Sequence, residues 1–199
     1  MNIYYIHGFN SYKGSSTPKK LRRVLERDVH ELFYRSEQPF ETIMDDLRRQ
    51  YFEHNGDTPS IIAGTSMGGF FADQLADMPG IQALVLINPV VDPVEVLSKP
   101  TFLGTQTNFI THETYTFSLE TAATYATRRD MRKFPVKRFL LLAEHDELLD
   151  SSIARQWWKD TAIPSTLKGG HRLTDFSAIS TLMAGILPEL DDINERYAG

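Results

Sequence analysis

The sequence predicts an α/β fold: one domain over residues 1–199, with a mostly parallel six-stranded sheet flanked by helices. Three observations predict it. Short apolar runs alternate with stretches of helical periodicity, the pattern of parallel strands joined by crossover helices. Runs such as Ile61-Ile62-Ala63 and Leu140-Leu141-Leu142 are apolar on both faces, which suits strands covered on both sides. The chain has 199 residues, 41% hydrophobic and 24% charged, enough for one sizeable core and short for two.

The elements follow in order. The first strand is residues 2–6. A helix follows, with Thr17 as N-cap and Pro18 at its first position, burying Leu21, Val24 and Leu25. Val29 to Tyr34 reads as the second strand. Phe40, Ile43, Met44 and Leu47 repeat at helical spacing. Ser60 to Ala63 is the third strand. The helix after it carries Phe70, Phe71 and Leu75 and stops near Pro79-Gly80. Ala83 to Ile87 is the fourth strand, closed by Asn88-Pro89. Phe139 to Ala143 is the fifth, and Ser165 to Leu167 the sixth. A last helix shows Phe176, Ile179, Met183, Ile186 and Leu187. Residues 92–133 break this rhythm with Pro93, Pro100 and Gly104 and a polar, aromatic-dotted stretch that includes a small helix near 118–129. A long insertion at this place is expected to be a lid facing substrate.

The third strand runs directly into Gly64-Thr65-Ser66-Met67-Gly68, a G-x-S-x-G turn. A strand feeding so tight a turn lifts a serine above the sheet, as in the α/β-hydrolase fold. A serine hydroxyl needs a base within reach and a third group to hold that base. In this fold the order is nucleophile, acid, histidine, each after a strand. The acids after the fifth strand are Glu144, Asp146, Glu147 and Asp150. Asp146 is the expected triad acid, and Asp150, before Ser151-Ser152, looks like a helix N-cap. After the sixth strand, Gly169-Gly170 lets the loop bend and present His171 as the base, with His145 as its rival. The oxyanion hole needs two N–H donors. Met67, after the nucleophile, supplies one. Phe9, in the loop Ile6-His7-Gly8-Phe9-Asn10, supplies the other, with Asn10 second in line. His7, Gly8 and Asn10 are expected to border the substrate. Neighbouring first and third strands imply the order 2-1-3-4-5-6, with this loop at the switch point where open α/β sheets bind ligands.

Composition excludes other chemistries. A net charge of -5 argues against nucleic acid as partner. The absence of cysteine excludes disulfides, thiolate metal sites and a cysteine nucleophile, and it suits a reducing cytoplasm. Neither H-x-x-x-H nor H-E-x-x-H occurs, so neither metal nor cofactor is expected. No 18-residue apolar span occurs, and Met1 leads straight into a strand. A soluble cytoplasmic protein, away from membranes, is the expectation.

Tyr5-Ile6-His7-Gly8-Phe9-Asn10-Ser11, Gly64-Thr65-Ser66-Met67-Gly68-Gly69, Ile87-Asn88-Pro89 and the stretch from Asp146-Glu147 to Asp150 together resemble the YqiA/YcfP-type small bacterial α/β-hydrolases. The resemblance implies a single-domain hydrolase acting on acyl esters, acyl-CoA thioesters included, with Ser66 as nucleophile, Asp146 as acid and His171 as base. Members of that family tend to carry Gly-Asp-Glu at the acid loop, where this chain has Glu144-His145-Asp146-Glu147. Two alternatives stand beside the esterase. Arg128, Arg129, Arg132 and Lys133 would contact the phosphates of an acyl-CoA thioester, or they form a solvated helix face. A non-catalytic binding protein would keep the fold without the reaction.

Overall fold

A computed structural model describes residues 1–55 and 58–172, with residues 181, 185 and 187 beyond them. Six strands form one parallel sheet: β1 (Asn2–Ile6), β2 (Val29–Leu32), β3 (Ser60–Thr65), β4 (Ile81–Ile87), β7 (Lys137–Ala143) and β8 (Ile163–Leu167). Their order is β2-β1-β3-β4-β7-β8, so the six run 2-1-3-4-5-6 when counted among themselves. The numbering gap comes from a hairpin absent from the sequence-based expectation, β5 (Gly104–Thr107) paired antiparallel with β6 (Thr114–Phe117). Helices α1 (Ser16–Leu25), α2 (Phe40–Asn55), α3 (Met67–Gln74), α4 (Pro93–Leu97), α5 (Leu119–Thr124) and α6 (Ser151–Trp157) complete the described chain, with a 3-10 turn at Tyr125–Thr127.

The two-residue repeat of strands divides the core. Tyr4, Ile6, Ile62, Leu84, Leu86, Leu140 and Leu142 face α2 and α3, and Phe70, Phe71, Ile43 and Leu47 fill the space between. Ile3, Tyr5, Ile61, Val85 and Leu141 face the other way, toward Leu21 and Leu187. Burial of this kind contributes about 25 cal/mol per Å² of apolar surface. Of the expected last helix, Leu187 is buried, whereas Phe176, Ile179, Met183 and Ile186 lie outside the described residues.

Several boundaries differ from the expected ones, each for a local reason. Helix α1 starts at Ser16 with Ser15 as N-cap, two residues before the expected cap, so Pro18 occupies the third helical position. Proline is tolerated there because the N–H it lacks has no partner in the first turn. Strand β2 ends at Leu32 because side chains take over its ladder: the Phe33 N–H donates to Gln50 Oε1 at 3.1 Å and the Tyr34 N–H to His7 Nε2 at 3.3 Å. Helix α3 ends at Gln74, since Ala76 and Met78 bond three residues back, to Asp73 and Leu75, rather than four.

The segment between β4 and β7 is fastened to the domain at both ends. Asp92 caps α4 through the Glu95 N–H, and Pro93 opens the helix. Ser118 caps α5 through the Thr121 N–H. The Arg138 guanidinium, 2% exposed, bonds Asp73 Oδ1 at 2.8 Å and the carbonyls of Met131, Phe134 and Val136. Helix α3, strand β7 and the chain leading into it are thereby locked together. Trp158 is buried, and the half-buried Trp157 lies under the Arg132 guanidinium at 3.8 Å.

Candidate active site

The turn from β3 into α3 is held in a strained form. Ser66 sits at φ 56°, ψ -120°, a conformation that non-glycine residues seldom adopt. Its N–H donates to the Ile87 carbonyl at 2.9 Å, and its own carbonyl accepts from Gly69, Phe70 and Val90. Two glycines permit this turn by close approach. A Cβ on Gly64 would fall within 3.0 Å of the Gly68 backbone, and one on Gly68 within 3.0 Å of the Ile6 and His7 carbonyls. The spacing of G-x-S-x-G therefore reflects backbone crossing backbone at two points.

The loops after β7 and β8 bring the acid and the histidine together. Asp146, its side chain 3% exposed, faces His171 Nδ1 with both oxygens, at 3.0 and 2.8 Å. Asp146 Oδ1 also accepts the Leu148 and Leu149 N–H groups at 2.9 Å each. A carboxylate facing Nδ1 assigns the proton to that nitrogen and leaves Nε2 as an acceptor. The neighbouring acids are placed differently. Glu147 accepts the His171 main-chain N–H at 2.8 Å, which holds its carboxyl below the usual glutamate value. Asp150 caps α6 through the Ser152 N–H, and Glu144 and His145 are exposed.

Ser66 and His171 line one cavity of about 560 Å³, within the range of small-molecule sites. Among the described residues the Ser66 hydroxyl has no hydrogen-bond partner. Catalytic hydrogen bonds often close only when substrate is bound. Val96, Phe102, Phe109, Ile110, Leu148 and Leu149 give the cavity an apolar side. Ser11, Ser15, Ser16, Thr17 and Tyr5 give it a hydroxyl-rich side, and Lys20, Lys99 and Arg172 are its cations.

The loop after β1 divides into parts with different surroundings. Gly8, Phe9 and Asn10 line the cavity. Among the described residues, neither the Phe9 nor the Met67 N–H donates to another backbone group. The Asn10 N–H is occupied by Ser36 Oγ at 3.0 Å, which removes it as an oxyanion donor. Asn10 is instead a junction: its Nδ2 donates to Gln106 Oε1, its Oδ1 accepts from the Tyr115 hydroxyl, and its carbonyl accepts the Phe109 N–H. The hairpin is thereby fastened to the loop that carries Phe9, whose ring also meets Phe102 and Phe117 edge-on. His7 does not border the cavity. It is 3% exposed, stacked on Tyr34 with centroids 4.4 Å apart, donating from Nδ1 to the Gly8 carbonyl and accepting the Tyr34 N–H at Nε2. Burial pushes its imidazole down to about 4.

The three arginines of the basic cluster, read as either phosphate contacts or a solvated face, form ion pairs. Arg128 pairs with Asp92, Arg129 with Asp77 and Arg132 with Asp130. Neither these arginines nor Lys133 line the cavity. Among the described residues no cluster of three or more His, Asp or Glu side chains could hold a metal ion, and no helix is long and apolar enough to cross a membrane. The residue that sequence reasoning undervalued is Asn88, read there as the end of a strand and as part of a family motif, with no role at the site. Its neighbour Pro89 was the visible signal; its partners are distant in sequence.

The pattern that defines the family described as "Uncharacterised protein family (UPF0227)" matches residues 2–184. A UPF0227 protein of Serratia proteamaculans is 26% identical over 157 residues, covering 77% of this chain and 80% of that protein. One from Yersinia pseudotuberculosis is 30% identical over 99 residues, which is 48% of this chain and 54% of that protein. Among solved structures, Est1E from Butyrivibrio proteoclasticus superposes with a TM-score of 0.74 at 15% identity, over 96% of this chain and 88% of that one. The Paleococcus ferrophilus monoacylglycerol lipase superposes with a TM-score of 0.67 at 15% identity, over 94% and 93%. At such identities the likeness establishes the α/β-hydrolase fold.

Proposed function

The chain belongs to the family UPF0227, and we propose that it is a serine hydrolase of carboxylic esters, acting through Ser66, His171 and Asp146. One observation carries this reading: His171, bonded at Nδ1 to Asp146, lines the same cavity as the strained Ser66 turn. Ser66 Oγ attacks the ester carbonyl while His171 Nε2 takes the hydroxyl proton. Asp146 stabilises the imidazolium that forms. The N–H groups of Phe9 and Met67 receive the oxyanion. The tetrahedral intermediate collapses, the C–O bond to the alcohol breaks, and Nε2 returns the proton to the leaving oxygen. Water then attacks the acyl-enzyme by the same route and frees Ser66.

The apolar side of the cavity accommodates the acyl group, and residues 92–133 act as a cap over it within a single domain. The substrate is a small-molecule ester, no cofactor is needed, and the location is cytoplasmic. An acyl thioester is the second reading. It rests on Lys99 and Arg172, which line the cavity, whereas Arg128, Arg129 and Arg132 do not.

Ser66→Ala tests the proposal. It should lower turnover of a short p-nitrophenyl ester by several orders of magnitude, with an unchanged circular dichroism spectrum. A fluorophosphonate probe should label Ser66 in the native chain. Undiminished hydrolysis by the variant would reject Ser66 as the nucleophile, and silence of the probe would favour a non-catalytic binding protein.

A further inference from the structure

The turn Ile87-Asn88-Pro89-Val90 bonds to the Ser66 turn, to the strand β7 that leads into the Asp146 loop, and to His171. On the nucleophile side, Ile87 accepts the Ser66 N–H at 2.9 Å and the Val90 N–H donates to the Ser66 carbonyl at 3.2 Å. On the acid side, the Asn88 N–H donates to Leu141 at 2.8 Å, and Asn88 Oδ1 accepts the Ala143 N–H at 2.7 Å. On the base side, Asn88 Nδ2 donates to the main-chain carbonyl of His171 at 2.9 Å. We propose that Asn88 is the positioning residue that sets His171 against Ser66 and Asp146, and this rests on the hydrolase reading above.

Asn88 is 2% exposed, so its amide must find both partners inside the protein. Its backbone has φ 41°, in the left-handed region that asparagine tolerates better than most residues. An asparagine side chain offers one acceptor and a donor on one short arm. Aspartate keeps the acceptor for Ala143 but turns a negative oxygen toward the His171 carbonyl. Leucine, of similar shape, satisfies neither group.

The base loop needs such a holder. It reaches His171 through Gly169-Gly170, and side chains hold both ends of the His171 backbone: Glu147 takes its N–H and Asn88 bonds its carbonyl. Loss of the second bond frees the imidazole to shift along the cavity wall. A displacement of about 1 Å in a catalytic group is enough for a roughly hundredfold loss of rate.

The test compares Asn88→Asp and Asn88→Ser with the native chain. Both variants keep an acceptor near the Ala143 N–H, which guards the fold. The measurements are kcat and KM on a short p-nitrophenyl ester, with active enzyme counted by fluorophosphonate titration. The expected result is a kcat about 10- to 100-fold lower per titrated site, with KM within about threefold. A residue that only supports the fold would lower the melting temperature and the titrated fraction but leave kcat per site unchanged. Native kcat per site in both variants overturns the role of Asn88. Ser66→Ala, assayed alongside, separates the two failures. If it still turns over, the hydrolase reading falls and takes this role with it; if it is inactive while both Asn88 variants are fully active, the positioning role alone falls.

Discussion

Acidification should destabilise this protein through one buried histidine. The His7 imidazole lies 3% exposed against Tyr34, and burial lowers its pKa from 6.5 to about 4. A base whose folded pKa lies below its unfolded value binds fewer protons when folded. Its contribution is therefore fully present above pH 6.5 and is lost as pH falls toward about 4. Linkage over that interval gives a total of about 3 kcal/mol, of which about 2 kcal/mol is lost between pH 7 and pH 5. In a domain of this size that corresponds to a fall of about 4–8 °C in melting temperature. His7→Gln supplies the control, because glutamine retains an acceptor for the Tyr34 N–H and does not titrate. Urea melts at pH 7, 6 and 5 on both proteins isolate the term, since other groups cancel in the difference. The native chain should lose about 2 kcal/mol more than His7→Gln between pH 7 and pH 5. Parallel curves for the two proteins would refute the assignment of a neutral, desolvated His7 beneath Tyr34.

Two further predictions concern charges. Asp73→Ala strands the buried Arg138 guanidinium, whose Nε bond to Asp73 is 2.8 Å. Calorimetry should show about 3–5 kcal/mol of lost stability, whereas Asp73→Leu with Arg138→Met should recover most of it, because the desolvation of both charges is removed together. At the acid loop, Asp146→Asn should lower kcat by roughly 10⁴-fold through the wrong imidazole tautomer. Glu147→Gln keeps an acceptor for the His171 N–H and should cost less than about tenfold. Equal losses in steady-state assays of the two variants would mean that the triad acid has been misassigned.

Much of the site was legible because its constraints are local. The G-x-S-x-G spacing reports a crossing of backbone on backbone that only glycine allows, and two-sided apolar runs report strands buried between helix layers. Loop order placed Asp146 and His171, which meet at 2.8 Å. The hairpin at 104–117 was illegible because its register is set by pairing across a loop and by Asn10 and Asn108 holding it to the loop after β1. Nothing in the local pattern announces such partners. Boundaries slipped where side chains replaced backbone, as at Phe33 and Tyr34.

By itself, then, the order of residues determined what depends on neighbours a few positions away: the alternation of strand and helix, the tight serine turn, the succession of acid and histidine. Tertiary structure alone decided which polar side chains line the cavity and which hold the scaffold. His7, Asn10 and Asn88 are all short polar residues at strand ends. Only the packed molecule reveals that His7 is sealed away, that Asn10 fastens the hairpin, and that Asn88 joins the end of β7 to His171. The reason is physical: hydrogen-bond partners of a buried polar group are chosen by proximity in space, and here, the Gly8 carbonyl beside His7 apart, the partners of these side chains lie from 27 to 105 residues away along the chain.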